Sequence, residues 1–211
     1  MIRTNLLLFT LLSICLCACT QKGNQAESIS QEASYPVAEW DKATAILMHT
    51  PGQELFDGVI HPSAGLFENY FDVDKAADEH RGYISALEKN GIKVFTVEQI
   101  LNETPIEKLR EYAKNSLTFD ISNIPDANTE ENDNYRIKVL GEMSRADLIR
   151  CILLRPTVKL YTAGNNTGFE AVYTHSPLMN LYFTRDQSIT TPRGHIISRM
   201  NSVQRAAETE I

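Results

Sequence analysis

Seven consecutive residues late in the chain combine side chains that could together bind a charged ligand. Residues 180–186 read Asn-Leu-Tyr-Phe-Thr-Arg-Asp and supply an amide, two aromatic rings, a guanidinium and a carboxylate. They follow a Ser-Pro pair, where we expect a loop to give way to a strand. Strand alternation would place Asn180 and Asp186 on one face and Phe183 on the other. A face that carries an amide and a carboxylate suits a ligand with many hydrogen-bond donors.

A guanidinium group is one such ligand, because it is planar, stays charged and carries five N–H donors. A site for it needs a carboxylate that accepts paired hydrogen bonds and often an aromatic face. Asp186 can supply the carboxylate and Phe183 the aromatic face. From the residue types alone, a salt bridge for Asp186 and core packing for Phe183 are the simpler interpretations.

The same segment, with residues 194–200 and Arg205 after it, resembles the arginine deiminase family. In that family a similar Asn-Leu-x-Phe-Thr-Arg-Asp segment binds the substrate guanidinium, and a loop after Leu-Phe closes over the substrate. The resemblance implies a catalytic role for Asp186, with Arg205 holding the α-carboxylate. The substrate-binding residues that it implies are Asn180, Phe183, Arg205 and Leu66.

The implied reaction converts L-arginine and water to L-citrulline and ammonia, without a cofactor or a metal. It needs a cysteine thiolate as nucleophile and a His-x-Asp motif. None of the five histidines is followed two positions later by Asp. Cys151 lies among helical Leu and Ile residues, where a thiol usually behaves as a small buried apolar group. We therefore expect an N-terminal portion of a deiminase, a fragment that is inactive alone.

Two further hypotheses remain open. The chain could be a non-catalytic, lipid-anchored envelope protein that keeps a vestigial arginine-binding face. A relative acting on agmatine or methylated arginine is less favoured, because Arg205 implies a free α-carboxylate on the ligand.

Composition limits the partners. The 211 residues carry a net charge of −7, and phosphate binding needs clustered Lys and Arg, so nucleic acid is not an expected partner. An acidic protein suits a cationic small molecule such as L-arginine. An incomplete site also leaves room for a missing C-terminal half or a homo-oligomer as partner.

The N-terminus has the pattern of a bacterial lipoprotein signal. Arg3 precedes a nearly all-apolar run at residues 6–18, and Leu-Cys-Ala-Cys at residues 16–19 resembles a lipobox. This predicts a signal peptide at 1–18, a lipid anchor on Cys19, a flexible tether at 19–38 and a location in the cell envelope. Ordinary secretion with Cys19 unmodified is the alternative, and family members without a leader are expected in the cytoplasm.

The rest of the chain predicts an α/β fold. Residues 43–49 are a predicted buried strand and residues 92–97 a second strand. The apolar stripe that begins at Val73 predicts a helix ended by Asn90 and Gly91. These elements form a predicted first module at 39–99.

A helical subdomain is predicted at 100–157. Its first helix would begin with a capping box at Thr104, and residues 126–133 would be a loop. Further helices would cover residues 135–143 and the segment from Ser144 to Leu154.

Residues 158–211 would begin a second module, with a loop at 164–168, a hairpin at 188–199 and a helix from Ser202. The family resemblance implies a partial pentein-type α/β propeller: the first ββαβ module, an inserted helical subdomain and the start of the second module. Its open strand edges would be prone to association.

Overall fold

The computed structural model describes residues 41–164, 168–191 and 193–211. The predicted signal peptide at 1–18, the anchor at Cys19 and the tether at 19–38 lie outside the described residues, as do positions 165–167 of the predicted loop and Pro192 of the predicted turn. In the described part of the chain, no helix is long and apolar enough to span a membrane.

The first part of the fold is a strand–helix–strand unit, as the sequence predicts. Strands β1 (Ala45–Met48) and β2 (Lys93–Thr96) pair in parallel. Between them lie a 3₁₀ helix (Gln53–Leu55), α1 (Phe56–Ile60) and α2 (Val73–Lys89). Asp72 caps α2 by accepting a hydrogen bond from Lys75 N at 2.9 Å. Gly91, with φ of 78°, reverses the chain after α2, as glycine readily does.

The expectation that β1 is a buried strand is correct only at its end. Met48 is buried, whereas Leu47 remains 44% exposed. A sheet of two strands provides too little surface to cover both faces of β1.

Four helices follow, namely α3 (Val97–Glu103), α4 (Ile106–Ser116), α5 (Thr129–Glu142) and α6 (Arg145–Leu154). Leu109, Ala113, Leu148 and Ile152 form the centre of their shared apolar core. Ser144 caps α6 by accepting a hydrogen bond from Asp147 N, as predicted. Burial of these apolar side chains is the main stabilising contribution of this part of the fold.

The predicted capping box at Thr104 is wrong. Thr104 ends α3 and its hydroxyl donates to the Ile100 carbonyl, while α4 begins after Pro105 without a side-chain cap. A capping box exists one helix earlier, where the Thr96 side chain accepts from Gln99 N and the Gln99 side chain accepts from Thr96 N.

The segment 100–157 is not entirely helical. Strand β3 (Thr118–Asn123) lies between α4 and α5 and pairs in parallel with β4 (Pro156–Thr162). The predicted loop at 126–133 is also too long, because Asn128 caps α5 by accepting from the amides of Glu130 and Glu131.

Strand β5 (Phe169–His175) completes this three-stranded sheet by pairing antiparallel with β4. The predicted hairpin is confirmed as β6 (Ser188–Thr191) and β7 (Gly194–Ile197). A 3₁₀ helix (Val203–Glu210) follows Ser202 where a helix was predicted. The α/β class is thus confirmed, with separate sheets of two, three and two strands in the described residues.

Candidate functional site

Residues 180–186 form consecutive turns, so the predicted strand is wrong. Leu181 N donates to Leu178 O at 3.1 Å, Phe183 N to Asn180 O at 3.0 Å and Asp186 N to Phe183 O at 3.2 Å. These bonds connect residues three apart, and strand alternation therefore does not apply. Phe183 and Asp186, which a regular strand would separate, both contact Arg205.

Asn180 joins this turn segment to the loop that contains Leu66. Its side chain is buried and its Nδ2 donates to Gly65 O at 3.2 Å. Its Oδ1 is also buried and has no hydrogen-bond partner among the described residues. An unpartnered buried acceptor is costly unless another group binds it. Through the bond from Nδ2 to Gly65, Asn180 connects the turn segment at 180–186 directly to the Leu66 loop.

Leu66 has an unusual backbone conformation. Its φ of 67° lies in the left-handed region, which non-glycine residues seldom adopt, and its side chain is half exposed. The preceding Gly65 packs so closely that a Cβ there would lie 2.9 Å from Gly58 Cα. The loop thus presents the Leu66 side chain to solvent, next to Gly65, whose carbonyl binds Asn180.

Arg205 and Asp186 form an ion pair in this structure. Arg205 Nη1 donates to Asp186 Oδ2 at 2.8 Å. The Arg205 side chain is mostly buried, whereas that of Asp186 is 46% exposed. Asp186 and Arg205 are therefore adjacent, but Asp186 is bound by Arg205 rather than open to a ligand. The salt bridge that residue types alone favoured for Asp186 is present, with Arg205 as its partner.

A second carboxylate, that of Glu208, also binds Arg205. Its Oε2 accepts from Nε at 3.0 Å and from Nη2 at 2.8 Å. The hydrogen bonds that Arg205 donates to Glu208, and then to Asp186, outweigh burial and raise the pKa of Arg205 above its usual value. Sequence reasoning missed Glu208, because an Arg and a Glu three residues apart usually form an ordinary surface pair.

Aromatic rings form one side of the cluster. The Arg205 guanidinium lies 5.6 Å from the Phe183 ring centroid, within the range of a cation–π contact. Phe183 also contacts Tyr182, with their centroids 4.1 Å apart, and Tyr182 stacks on Phe67 at 6.4 Å. Burial raises the pKa of the Tyr182 hydroxyl, which therefore stays neutral. Phe183 remains 44% exposed, so core packing is not its whole role.

A polar network at the end of β1 lies outside the predicted site. His49 Nε2 and Glu54 Oε1 are 2.9 Å apart and both side chains are buried. The pair lines a cavity of about 220 Å³, which also contacts Glu98 and Arg150. Burial opposes ionisation of Glu54, but the hydrogen bond and charge of His49 outweigh it, so the pKa of Glu54 is lowered.

His80 has a packing role. Its Nδ1 lies 3.3 Å from Thr50 Oγ1, and its ring contacts Tyr83 edge-on. Burial, and then the charge of His49, lowers the pKa of His80.

Cys151 does not have the surroundings of a nucleophile, and the prediction of a buried apolar role is confirmed. It is buried in α6, and its thiol lies 3.8 Å from Met143 Sδ. Burial, and then the charge of Asp147, raises the pKa of the Cys151 thiol. A thiol with a raised pKa is a poor nucleophile at neutral pH. Within the described residues there is also no group of His, Cys, Asp and Glu side chains that could hold a metal ion.

Comparison with known proteins agrees with the resemblance. A family model for arginine deiminase matches residues 64–211, which is more than half of the chain. An arginine deiminase of Halobacterium salinarum is 29% identical over 192 residues, covering 82% of this chain and 38% of that protein. Arginine deiminase 1 of Staphylococcus epidermidis is 28% identical over 168 residues, covering 77% of this chain and 40% of that protein.

The aligned region thus spans about two fifths of the length of these curated relatives. The family match at residues 64–211 includes the turn segment at 180–186, the Leu66 loop and the helix that carries Arg205. The chain belongs to the arginine deiminase family.

Proposed function

We propose that this chain supplies the arginine-binding part of an arginine deiminase, which converts L-arginine and water to L-citrulline and ammonia. The observation that supports this best is the cluster of Asp186, Arg205 and Phe183, in which a carboxylate, a guanidinium and an aromatic face meet. L-arginine carries the complementary groups, a guanidinium at one end and a carboxylate at the other.

Each residue then has a role set by its chemistry. Asp186 accepts paired hydrogen bonds from the substrate guanidinium, and the Phe183 ring packs against the guanidinium plane. Once Asp186 turns to the substrate, Nη1 of Arg205 is released and binds the α-carboxylate. Asn180 offers its unpartnered Oδ1 as an acceptor, and Leu66 covers the aliphatic part of the substrate.

The reaction also needs groups that the described residues do not provide. A thiolate attacks the guanidinium carbon and ammonia leaves, after which water cleaves the amidino thioether to release citrulline. Cys151 is buried in the core of the helical part, so it does not serve as this nucleophile. We propose that the thiolate and the His-x-Asp base come from a further segment that completes a pentein-type propeller, of which this chain forms the first module and the start of the second.

The experiment for this proposal extends the coding sequence beyond Ile211 and assays the longer product for citrulline. We expect a Cys and a His-x-Asp in the extension, with citrulline formation that Asp186→Asn abolishes. An in-frame stop immediately after Ile211, followed by no such residues, would contradict the catalytic proposal.

A second candidate function is binding of arginine without catalysis, by a lipid-anchored protein of the bacterial envelope. It is supported by the described residues, which provide the cluster around Arg205 but, in Cys151, only a buried thiol with a raised pKa. Such a chain would bind arginine and release it unchanged. Binding of L-arginine by the 211-residue chain, with no citrulline formed by either the chain or its extension, would support this candidate over the enzyme.

A further inference from the structure

Glu208 is buried beneath Arg205 and makes several charged hydrogen bonds to it. Its Oε1 lies 3.1 Å from Arg205 Nε, and its Oε2 lies 3.0 Å from Nε and 2.8 Å from Nη2. The Glu208 side chain is 0% exposed and that of Arg205 is 15% exposed. This edge-on arrangement fixes the plane of the guanidinium, which a single hydrogen bond would not do.

The carboxylate of Glu208 is satisfied by a second donor. Gln187 Nε2 donates to Glu208 Oε2 at 2.9 Å. Burying a charge is costly unless it is paired and hydrogen-bonded. The fully buried Glu208 carboxylate is therefore stabilised by both Arg205 and Gln187. Gln187 directly follows Asp186 in the chain, so the same contact also ties the end of the turn segment to the 3₁₀ helix.

The third nitrogen of the Arg205 guanidinium has a different environment. Nη1 binds Asp186, whose side chain is 46% exposed and makes this contact with a single oxygen. Nε and Nη2 are therefore committed to a buried partner, whereas Nη1 is paired with a residue that solvent can reach. The charged ends of L-arginine are separated by its aliphatic chain, so one ligand can bind both Asp186 and Arg205 only if this ion pair opens.

We propose that Glu208 is the positioning residue of the carboxylate subsite: it holds Arg205 in place while Asp186 leaves Nη1 to bind the substrate guanidinium. The inference rests on the proposed function, since it concerns how the same site distinguishes a ligand that has an α-carboxylate. Glu208 itself does not contact the substrate. It acts on the ligand only through the orientation of Arg205.

The first test measures binding of L-arginine and of agmatine, which lacks the carboxylate, to the Glu208→Gln variant by titration calorimetry. Loss of charge-assisted hydrogen bonds to Arg205 should raise the Kd of L-arginine by about tenfold or more, with the Kd of agmatine changed less than about twofold. The matched control is Glu210→Gln, which changes the same residue type on the same helix but removes only the ion pair with Arg155. An equal loss of affinity for both ligands, or no loss for either, would overturn the proposal.

The second test uses the wild-type chain, so its result does not depend on whether a variant folds. In a proton–nitrogen spectrum of the wild-type chain, Glu208 should protect the Arg205 Nε–H from exchange with water, and the signal should persist when L-arginine is added. A signal that exchanges freely would overturn the positioning role. A protected signal in a chain that binds no L-arginine would show that Glu208 fixes Arg205, and it would overturn the proposed function rather than this contact.

Discussion

Arg205 is the residue that the other charged and aromatic groups of the candidate site share. It donates to Asp186 at 2.8 Å and lies 5.6 Å from the Phe183 ring centroid. Without a ligand, a guanidinium and a carboxylate at this distance satisfy each other. A molecule with one group of each kind can replace both partners, and L-arginine is such a molecule.

The buried pair of His49 and Glu54 should make the free energy of unfolding depend on pH. The pKa of Glu54 is lowered from its usual 4.5, so the folded state binds this proton less readily than the unfolded state. Such a carboxylate contributes stability above its unfolded pKa, and this contribution is lost as the pH falls through the lower folded pKa. We predict that the free energy of unfolding in urea falls more steeply below pH 4.5 in the wild type than in Glu54→Gln.

Glu79→Gln is the matched control, because the Glu79 side chain is 71% exposed and pairs only loosely with Lys75 at 3.8 Å. This variant should follow the wild-type pH profile. A difference between wild type and Glu54→Gln that stays constant from pH 6 to below pH 4 would contradict the role of the pair.

Cys151 should react slowly with alkylating reagents in the folded chain. Its thiol is buried and its pKa is raised, so little thiolate is present and access is poor. We predict that iodoacetamide at pH 7.5 modifies Cys151 at least about tenfold more slowly in native protein than in urea. Mass spectrometry of the Cys151 peptide measures the two rates, and equal rates would contradict the assignment of Cys151 to the core.

Candidate site residues could be selected from the sequence only where a side chain has a distinctive chemistry or lies in a family motif. Asp186 and Phe183 have side chains that suit a charged, planar ligand, but their selection, and that of Arg205, rested on the family resemblance. Glu208 could not be selected, because its importance comes from burial, and the spacing of three from Arg205 is the same as in exposed pairs such as Lys108 and Glu111.

At the scale of elements, the site depends on a contact between two segments that are far apart in the sequence. Asn180 Nδ2 binds Gly65 O at 3.2 Å, and Thr184 Oγ1 binds Leu47 O at 2.8 Å. The turn segment is thereby held against both the Leu66 loop and β1. Backbone that lacks a regular sheet or helix needs such side-chain contacts to keep one conformation.

We predict that Asn180→Ala lowers the free energy of unfolding by about 1–3 kcal/mol, because the buried Gly65 carbonyl loses its donor. Urea denaturation followed by circular dichroism measures the change. Asn102→Ala serves as control, since Asn102 is exposed and donates only to the Glu98 carbonyl of its own helix. A loss no greater than that of the control would show that the Asn180 contact does not hold the loop.

Elements with a long apolar stripe or a clear cap were predictable, and α2 and α6 are examples. The turn segment was not, because Tyr, Phe and Thr favour strands and the competing hydrogen bonds between residues three apart leave no signal in residue type. Strand β3 was missed because a six-residue strand between two helices depends on β4 for its pairing.

At the scale of the whole molecule, the chain aligns with about two fifths of the length of the two curated relatives. The described strands form small sheets with open edges. Ile189 and Ile196, which face each other across the β6–β7 hairpin, are 61% and 58% exposed. Unpaired edges and exposed apolar pairs of this kind favour contact with further polypeptide. The further segment that we propose would provide such a contact.

The proposed lipid anchor gives a prediction at this scale. In bacteria that process lipoproteins, the wild-type chain should enter the detergent phase of a Triton X-114 extraction, because several acyl chains give stable membrane attachment. Cys19→Ser should move the protein to the aqueous phase, whereas Cys151→Ala should not. A wild-type chain found in the aqueous phase would contradict the anchor, without bearing on arginine binding.

Titration of L-arginine into the purified chain, followed by calorimetry, tests the arginine site most directly. We predict binding at one site per chain, weakened by about tenfold or more in Asp186→Asn because a charged hydrogen-bond acceptor is lost. Asp78→Asn, which removes only an exposed ion pair with Arg81, should bind as the wild type does. No heat of binding in the wild type, or equal affinity in Asp186→Asn, would contradict an arginine site at Asp186.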